Sequence, residues 1–182
     1  MERLIVFGVL TVSIIFLSWR TIVSVKSHGF YRFLCWECIA WLFASNYRCW
    51  FDNPISVVHL ISWMLLLLSI YLVVAGVIQL KRVGKPQRSR DDNELYGFEK
   101  TSELVDTGIF KYIRHPLYSS LLFLTWGIFF KNVTHPLLVV AVLSTLFLYL
   151  TAIHDEKECV KYFGAKYREY MKRSKRFIPF VV

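Results

Sequence analysis

The chain has 182 residues, of which 55% are hydrophobic and 19% are charged, and its formal net charge is +9. A soluble domain of this size usually has about 45–50% apolar and about 25% charged residues, so this composition indicates that much of the surface faces lipid. It argues strongly against a water-soluble enzyme. At roughly 20 residues per span, the apolar residues can form four or five membrane helices, which leaves no room for a second domain.

Five apolar runs are predicted to form an all-α integral membrane bundle. They cover residues 4–19, 30–45, 55–80, 117–130 and 137–153. The third run is long enough to cross a bilayer by itself, whereas the fourth needs flanking residues or a tilt against its neighbours. We interpret the first run as a retained helix and not a signal peptide, because Arg3 is a thin basic region and no small-residue cleavage site follows.

The second run, residues 30–45, contains Arg32 and Glu37. It is either a span whose polar groups face the bundle interior or a segment that enters the membrane and turns back. An acid inside a span is a functional candidate by default. The alternative is that Glu37 forms an ion pair with Arg32 or Arg48.

The basic residues are distributed unevenly among the loops. The loops at 20–32, 81–114 and 154–182 hold 19 of the 22 Lys and Arg residues, which marks their side as cytoplasmic. Five spans then place the N-terminus outside and the C-terminus inside. Because a basic belt beside the membrane explains the net charge, we expect no nucleic-acid partner.

The residues after the fifth run have the pattern of an amphipathic helix on the cytoplasmic side. Val160, Phe163, Tyr167 and either Tyr170 or Met171 recur at helical spacing, with basic residues between them. One face of this helix is expected to lie on lipid or on the loop before the fourth run.

The polar segment before the fourth run is where function is expected, above all in residues 96–114, which do not have the composition of a passive linker. The fourth and fifth runs form a helical hairpin, so polar residues at its two feet become neighbours at headgroup depth. These residues are Arg114, His115 and Tyr118 at one foot and Asp155 and Glu156 at the other.

Cys35 and Cys38 have the spacing of a redox motif. They lie in an apolar run without strand and helix context, so we interpret them as packing cysteines. Four cysteines are too few and too scattered for a disulfide scaffold. His28 and His59 are not placed to complete a ligand set, so we expect no metal site.

Five motifs in order resemble the isoprenylcysteine carboxyl methyltransferases and their phospholipid methyltransferase relatives. They are Leu-Val-x-x-Gly from residue 104, Arg-His-Pro-x-Tyr from residue 114, the acidic pair at 155–156, Phe-Gly-x-x-Tyr-x-x-Tyr from residue 163, and Arg-Phe-Ile-Pro from residue 176. The resemblance covers residues 104–179. It divides the single 1–182 domain into N-terminal spans at 1–80 and a catalytic part at 81–182.

The resemblance implies a membrane enzyme that binds S-adenosylmethionine at the cytoplasmic face and methylates an acceptor reaching in from the bilayer. It places Arg114 and Glu156 in catalysis, with Arg114 facing the reacting groups. It assigns the cofactor pocket to a larger set, in which the two tyrosines belong to a C-terminal cap: Leu104, Val105, Gly108, His115, Pro116, Tyr118, Asp155, Tyr167 and Tyr170.

One departure from the family pattern bears on the acceptor. The family commonly has an arginine four residues before the acidic pair, whereas this chain has Thr151, and its pair is Asp-Glu, not Glu-Glu. The missing guanidinium weakens the case for a carboxylate acceptor, because a bidentate fork is the natural way to orient one. An amine or hydroxyl acceptor must lose a proton, and Glu156, Asp155 and His115 are then the candidate bases.

The closest family assignment is protein-S-isoprenylcysteine carboxyl O-methylation, with a lipid or lipidated acceptor. Methylation of a phospholipid amine or another small lipid amine is the alternative within the same chemistry. A non-catalytic membrane scaffold, whose basic belt binds anionic headgroups, is the alternative from another class. Reduction of a sterol-like lipid is a further alternative, although the chain is much shorter than such reductases. The sequence leaves the acceptor and the oligomeric state open.

Overall fold

The computed structural model of the protein describes residues 1–22, 27–85 and 99–179. These residues form six α-helices: α1 (Glu2–Ile22), α2 (His28–Asn46), α3 (Val57–Val83), α4 (Pro116–Phe129), α5 (His135–Phe163) and α6 (Ala165–Arg173). Two short 3₁₀ turns lie at Tyr47–Cys49 and Gly108–Lys111. The predicted all-α class is confirmed, because the described part of the chain contains no β-strand.

Three of the helices are long and apolar enough to cross a membrane: α1 over Glu2–Trp19, α3 and α5. Helix α4 has the apolar character but only 14 residues, and α2 carries the charged Arg32 and Glu37. Large apolar side chains point outward from the long helices, among them Phe16, Leu67 and Val139. The protein is therefore a membrane protein, while the predicted count of five spans stays a prediction for α2 and α4.

The bundle is held by antiparallel neighbours. Helix α3 packs on α4, α2 packs on α5, α1 packs on α2, and α4 and α5 form the predicted hairpin. Small and polar side chains allow these approaches: the Ser62 hydroxyl of α3 donates to the Gly127 carbonyl of α4 at 2.6 Å. Thr125 of α4 and Ser144 of α5 lie 2.9 Å apart between their hydroxyls. Hydrogen bonds of this kind satisfy polar groups that water does not reach in a membrane.

Helix α2 runs without a break across the second apolar run, which excludes a turn back inside it. The alternative, an ion pair of Glu37 with Arg32 or Arg48, is not what the structure shows. Arg32 pairs with Glu99, and Arg48 pairs with Glu2. Glu37 instead accepts a hydrogen bond of 2.7 Å from the Thr11 hydroxyl of α1, which ties the two helices together.

The C-terminal amphipathic helix begins later than its pattern predicts. Helix α5 continues to Phe163, and the chain then turns at Gly164, whose φ of +63° favours glycine. Helix α6 has the opposite faces that the pattern indicates, with Tyr167 and Tyr170 buried. Val160 and Phe163, by contrast, belong to α5. The spacing of the apolar residues continues across the turn at Gly164, so the sequence pattern does not show where α5 ends.

The residues after α6 return to the start of α4. We call residues 174–178 the C-terminal strap. Its backbone lies beside residues 112–115, with a 2.7 Å hydrogen bond from the Arg114 amide to the Lys175 carbonyl and one of 3.0 Å from the Lys175 amide to the Tyr112 carbonyl. The Ser119 hydroxyl of α4 donates to the Phe177 carbonyl at 2.7 Å.

Candidate active site

A cavity of about 780 Å³, its open mouth included, lies where α3 and α5 end and α4 begins. We call it the site cavity. The segment 99–105 and helix α6 close its sides. Most of the predicted site residues line it: Leu104, Val105, Arg114, His115, Pro116, Tyr118, Asp155, Tyr167 and Tyr170. Of the predicted functional segment, residues 96–98 lie outside the described residues.

The two feet of the α4–α5 hairpin meet inside this cavity. His115 Nδ1 lies 3.4 Å from Asp155 Oδ2, and His115 Nε2 lies 3.4 Å from Glu156 Oε1. The His115 ring stacks on the Tyr118 ring with centroids 5.2 Å apart, and the Asp155 carboxylate also faces the Tyr118 hydroxyl. His115 caps the N-terminus of α4, where Pro116 occupies the first turn without loss of a backbone hydrogen bond.

His115 is buried, and its surroundings change its pKa. Burial lowers the pKa, but hydrogen bonding and the negative charges of Asp155 and Glu156 raise it more, so the pKa lies above the ordinary value of about 6.5. The Nε2 atom forms no aligned hydrogen bond with any residue that the structure describes, despite its nearness to Glu156. A buried ring nitrogen without a partner is rare, and it marks a place where a ligand group can bind.

Glu156 lies behind the cavity wall, where it binds two arginines. Its Oε1 accepts from Arg114 Nε at 2.9 Å, and its Oε2 accepts from Arg176 Nη2 at 2.7 Å. Arg114 also donates to the carbonyls of Met171 and Ser174. This network fastens the C-terminal strap and the end of α6 to the start of α4, and it occupies both guanidinium groups.

Helix α6 covers the aromatic side of the cavity with Tyr167 and Tyr170. The Tyr170 hydroxyl donates to the Phe110 carbonyl at 2.6 Å, which joins the helix to the 3₁₀ turn below it. Burial raises the pKa of both tyrosines, so their hydroxyls stay neutral. The two rings supply an apolar wall and not a charge.

Gly108 lies away from the site cavity, unlike Leu104 and Val105 of the same motif. It begins the 3₁₀ turn with a φ of +59°, and a Cβ atom there would lie 2.9 Å from the Gln79 side chain of α3. The Gln79 amide donates to the Thr107 hydroxyl at 2.8 Å. The glycine thus lets the turn pack closely against α3, and Phe110 of this turn reaches the cavity.

Four charged residues at the site were not predicted, because they come from α2 or lie outside the family motifs. His28 Nδ1 lies 2.6 Å from Glu158 Oε2, and Arg32 Nη1 lies 3.1 Å from Glu99 Oε2. Both carboxylates line the site cavity. The sequence could have indicated Glu158, because it follows Asp155 by three residues and the two side chains therefore lie on one face of α5.

The residues of the site cavity fit S-adenosylmethionine. Leu104, Phe110 and Phe163 offer apolar surface for a nucleoside, while Asp155 and the unpartnered His115 nitrogen offer polar contacts. The cavity therefore combines a mostly apolar lining with a few convergent polar groups.

The helices and this cavity define a membrane protein with a small-molecule site at one end of its bundle. Comparison with known families gives the class a name: the phospholipid methyltransferase family matches residues 57–166, which is more than half of the chain. The chain belongs to this family. The predicted resemblance is thereby confirmed at the level of the family.

Similar curated proteins are methanethiol S-methyltransferases. The protein from Pseudomonas deceptionensis is 35% identical over 71 residues, which are 39% of this chain and 26% of the relative. A second, from Bradyrhizobium diazoefficiens, is 28% identical over 88 residues, covering 48% of this chain and 30% of the relative. The chain thus spans less than a third of the length of either relative. No solved structure matches the chain.

Proposed function

We propose that the protein transfers the methyl group of S-adenosylmethionine to a neutral nucleophile on a small or membrane-soluble acceptor, with His115 as the proton acceptor. The observation that carries this proposal is the pairing of His115 with Asp155 in the wall of the site cavity, at 3.4 Å. A thiol is the first acceptor class, and a lipid amine is the second.

A neutral thiol or amine must lose a proton, and His115 is suited to take it. Asp155 faces Nδ1 and favours the neutral tautomer with the proton on that atom, so that Nε2, which has Glu156 Oε1 at 3.4 Å, keeps its lone pair. The raised pKa of His115 makes the neutral ring a stronger base, and this proton-accepting form is populated above the raised pKa.

The walls of the cavity supply the other requirements of the reaction. When bound, S-adenosylmethionine supplies an electrophilic methyl group on a sulfonium. Tyr167, Tyr170 and Phe163 form an aromatic wall on one side of the cavity, and the start of α4 fixes His115 relative to Asp155. Alignment of the nucleophile and exclusion of water are the main demands of an in-line transfer.

A carboxylate acceptor, as in isoprenylcysteine methylation, receives less support from the site. The guanidinium groups of Arg114 and Arg176 are occupied by Glu156. Thr151 stands where the family has an arginine, and its hydroxyl donates to the Phe147 carbonyl of its own helix at 2.7 Å. Orienting a carboxylate would require Arg114 to give up a buried ion pair.

The relatives favour a thiol among the neutral nucleophiles. Both are methanethiol S-methyltransferases, and the matches cover 39–48% of this chain. We further propose that the cavity opens to the cytoplasm, because most basic residues lie in loops at that end of the bundle.

The experiment uses the full chain purified in lipid nanodiscs. S-adenosylmethionine labelled in its methyl group is offered with methanethiol, with phosphatidylethanolamine in the disc, or with an N-acylated S-prenylcysteine. We expect label in the thiol product and its loss in His115→Gln. Label only in a base-labile ester would contradict the proposed acceptor class. Absence of both cofactor binding and label would contradict the activity and favour the scaffold alternative.

A further inference from the structure

Helix α2 contributes two ion pairs to the site cavity, although the family motifs begin far after it. His28 and Arg32 are one helical turn apart, so both side chains lie on the same face of α2. His28 binds Glu158 through its ring at 2.6 Å and through its backbone amide at 3.3 Å. Arg32 binds Glu99 at 3.1 Å. One face of α2 therefore fixes two carboxylates from different parts of the chain.

Both carboxylates reach the site cavity from their fixed positions. Glu99 and Glu158 line it, with side chains 13% and 37% exposed, respectively, whereas their partners Arg32 and His28 are almost fully buried. An ion pair leaves lone pairs on each carboxylate oxygen that face away from the partner. These lone pairs can accept hydrogen bonds from a ligand in the cavity.

The charged lining of the cavity is dominated by carboxylates. Glu99, Asp155 and Glu158 line it together with Arg114. Arg114 pairs with Glu156 behind the wall, and the cationic partners of Glu99 and Glu158 also lie behind them, so the ion-paired carboxylates are the charged groups that most face the cavity. A cleft lined by one sign of charge attracts ligands of the other sign. S-adenosylmethionine carries one net positive charge, with a sulfonium and an ammonium against one carboxylate, and its demethylated product has no net charge.

A separate feature of the same cavity also points to a polar ligand. His115 is only 6% exposed, lines the cavity and has an Nε2 atom without a hydrogen-bond partner among the described residues. A buried polar atom without a partner is destabilising, so such an atom in a cavity wall indicates a place for a bound group. The two carboxylates and His115 thus line the same cavity.

We propose that Glu99 and Glu158, held by Arg32 and His28 of α2, form the subsite for the sulfonium of the cofactor. They select the positively charged S-adenosylmethionine over its neutral product. This inference rests on the proposed function. It gives α2 a role in the site, with His28 and Arg32 as positioning residues that keep both carboxylates directed into the cavity.

The test compares two ligands on two variants by calorimetric titration of the full chain in nanodiscs. Glu158→Gln and Glu99→Gln each remove one charge without changing the shape of the side chain. We expect S-adenosylmethionine to bind about tenfold more weakly to each variant, while the binding of S-adenosylhomocysteine changes less than about twofold. The matched control is Glu103→Gln, because Glu103 is exposed and pairs with Lys85 away from the site cavity.

Equal losses for both ligands would overturn the proposal, because they would indicate a structural effect that does not sense ligand charge. Unchanged binding of S-adenosylmethionine to both variants would overturn it as well. Failure of the unmodified protein to bind either ligand would instead contradict the proposed function. Because His28, Asp155 and Glu158 offer ligand atoms within 4.8 Å of one another, the titrations are repeated with a chelator. Loss of charge selectivity on chelation would indicate a metal ion and overturn the proposal.

Discussion

At the scale of single residues, the site separates two acids that are adjacent in the chain. Asp155 points into the site cavity and faces His115, whereas Glu156 lies behind the wall between Arg114 and Arg176. The contacts of Glu156 suit a positioning role more than contact with an acceptor. Adjacent residues on a helix differ by about 100° in direction, so the two side chains point into different surroundings.

The pH dependence of the reaction tests the role of His115. Its pKa is raised above about 6.5, so the ring is protonated at acid pH and cannot accept a proton. We expect kcat/KM with a thiol acceptor to rise as the pH increases through this raised pKa and then to level off. His115→Gln should lose about 10²–10⁴-fold in rate and lose this rising limb.

The experiment must separate the ionisation of His115 from the ionisation of the acceptor thiol. A thiolate formed in solution would give a limb that follows the pKa of the thiol and not of the enzyme. Two thiols of different acidity separate the cases. A limb that persists unchanged in His115→Gln would assign the proton to the acceptor or to water, and the proposed role of His115 would be wrong.

At the scale of helices, the placement of the site depends on close approaches that small residues permit. Gly127 of α4 lies against Leu66 of α3, and an added Cβ atom would lie 2.9 Å from the Leu66 side chain and 3.3 Å from its backbone nitrogen. Gly127 lies at one end of the α3–α4 pair, and the 3₁₀ turn and the start of α4 lie at the opposite end. A change in this packing therefore reaches the site cavity through the helices themselves.

Gly127→Ala should destabilise the fold by about 1–3 kcal/mol, because the added methyl group forces α3 and α4 apart. The melting temperature in detergent measures this effect. Gly8→Ala is the matched control, since a Cβ atom at Gly8 of α1 meets nothing within 4 Å and alanine favours the helix. Equal melting temperatures for the two variants would show that the α3–α4 contact is not tightly packed.

The sequence predicts the part of the site that lies within its own motifs. His115, Asp155 and Tyr118 meet as expected, because α4 and α5 form a hairpin and its two feet must be close. Glu99 and Glu158 could not be assigned, because their partners His28 and Arg32 depend on how α2 is rotated against α5. No pattern within α2 fixes that rotation. The turn at Gly164 was missed for a similar reason, since the apolar period continues across it.

At the scale of the whole molecule, both ends of the bundle are held by distinct polar contacts. The site cavity occupies one end. At the other end, the Lys131 ammonium lies 3.3 Å from the centroid of the Trp63 ring, and His59 Nε2 lies 3.2 Å from the Lys131 carbonyl. Burial lowers the pKa of Lys131. Cation–π contacts of this kind hold the α4–α5 connection against α3.

The orientation of the bundle can be measured in intact cells. Because basic loops are retained in the cytoplasm, we expect a cysteine at Asn53 to react with an impermeant thiol reagent, and a cysteine at Lys172 to react only after permeabilisation. Both positions are exposed, so access is set by the membrane. Cys49, the native cysteine nearest Asn53 in the sequence, is replaced by serine in both variants. The reverse labelling pattern would place the site cavity outside the cell.

The C-terminal strap has a consequence for biogenesis. Packing of α4 against α5 brings the two hairpin feet together, but the backbone of residues 112–115 keeps open hydrogen-bonding positions until residues 174–177 arrive. A nascent chain whose last helix is still inside the ribosome therefore has an incomplete pocket. The newly made protein should acquire its ligand only after these residues emerge, so that translation itself delays the first turnover.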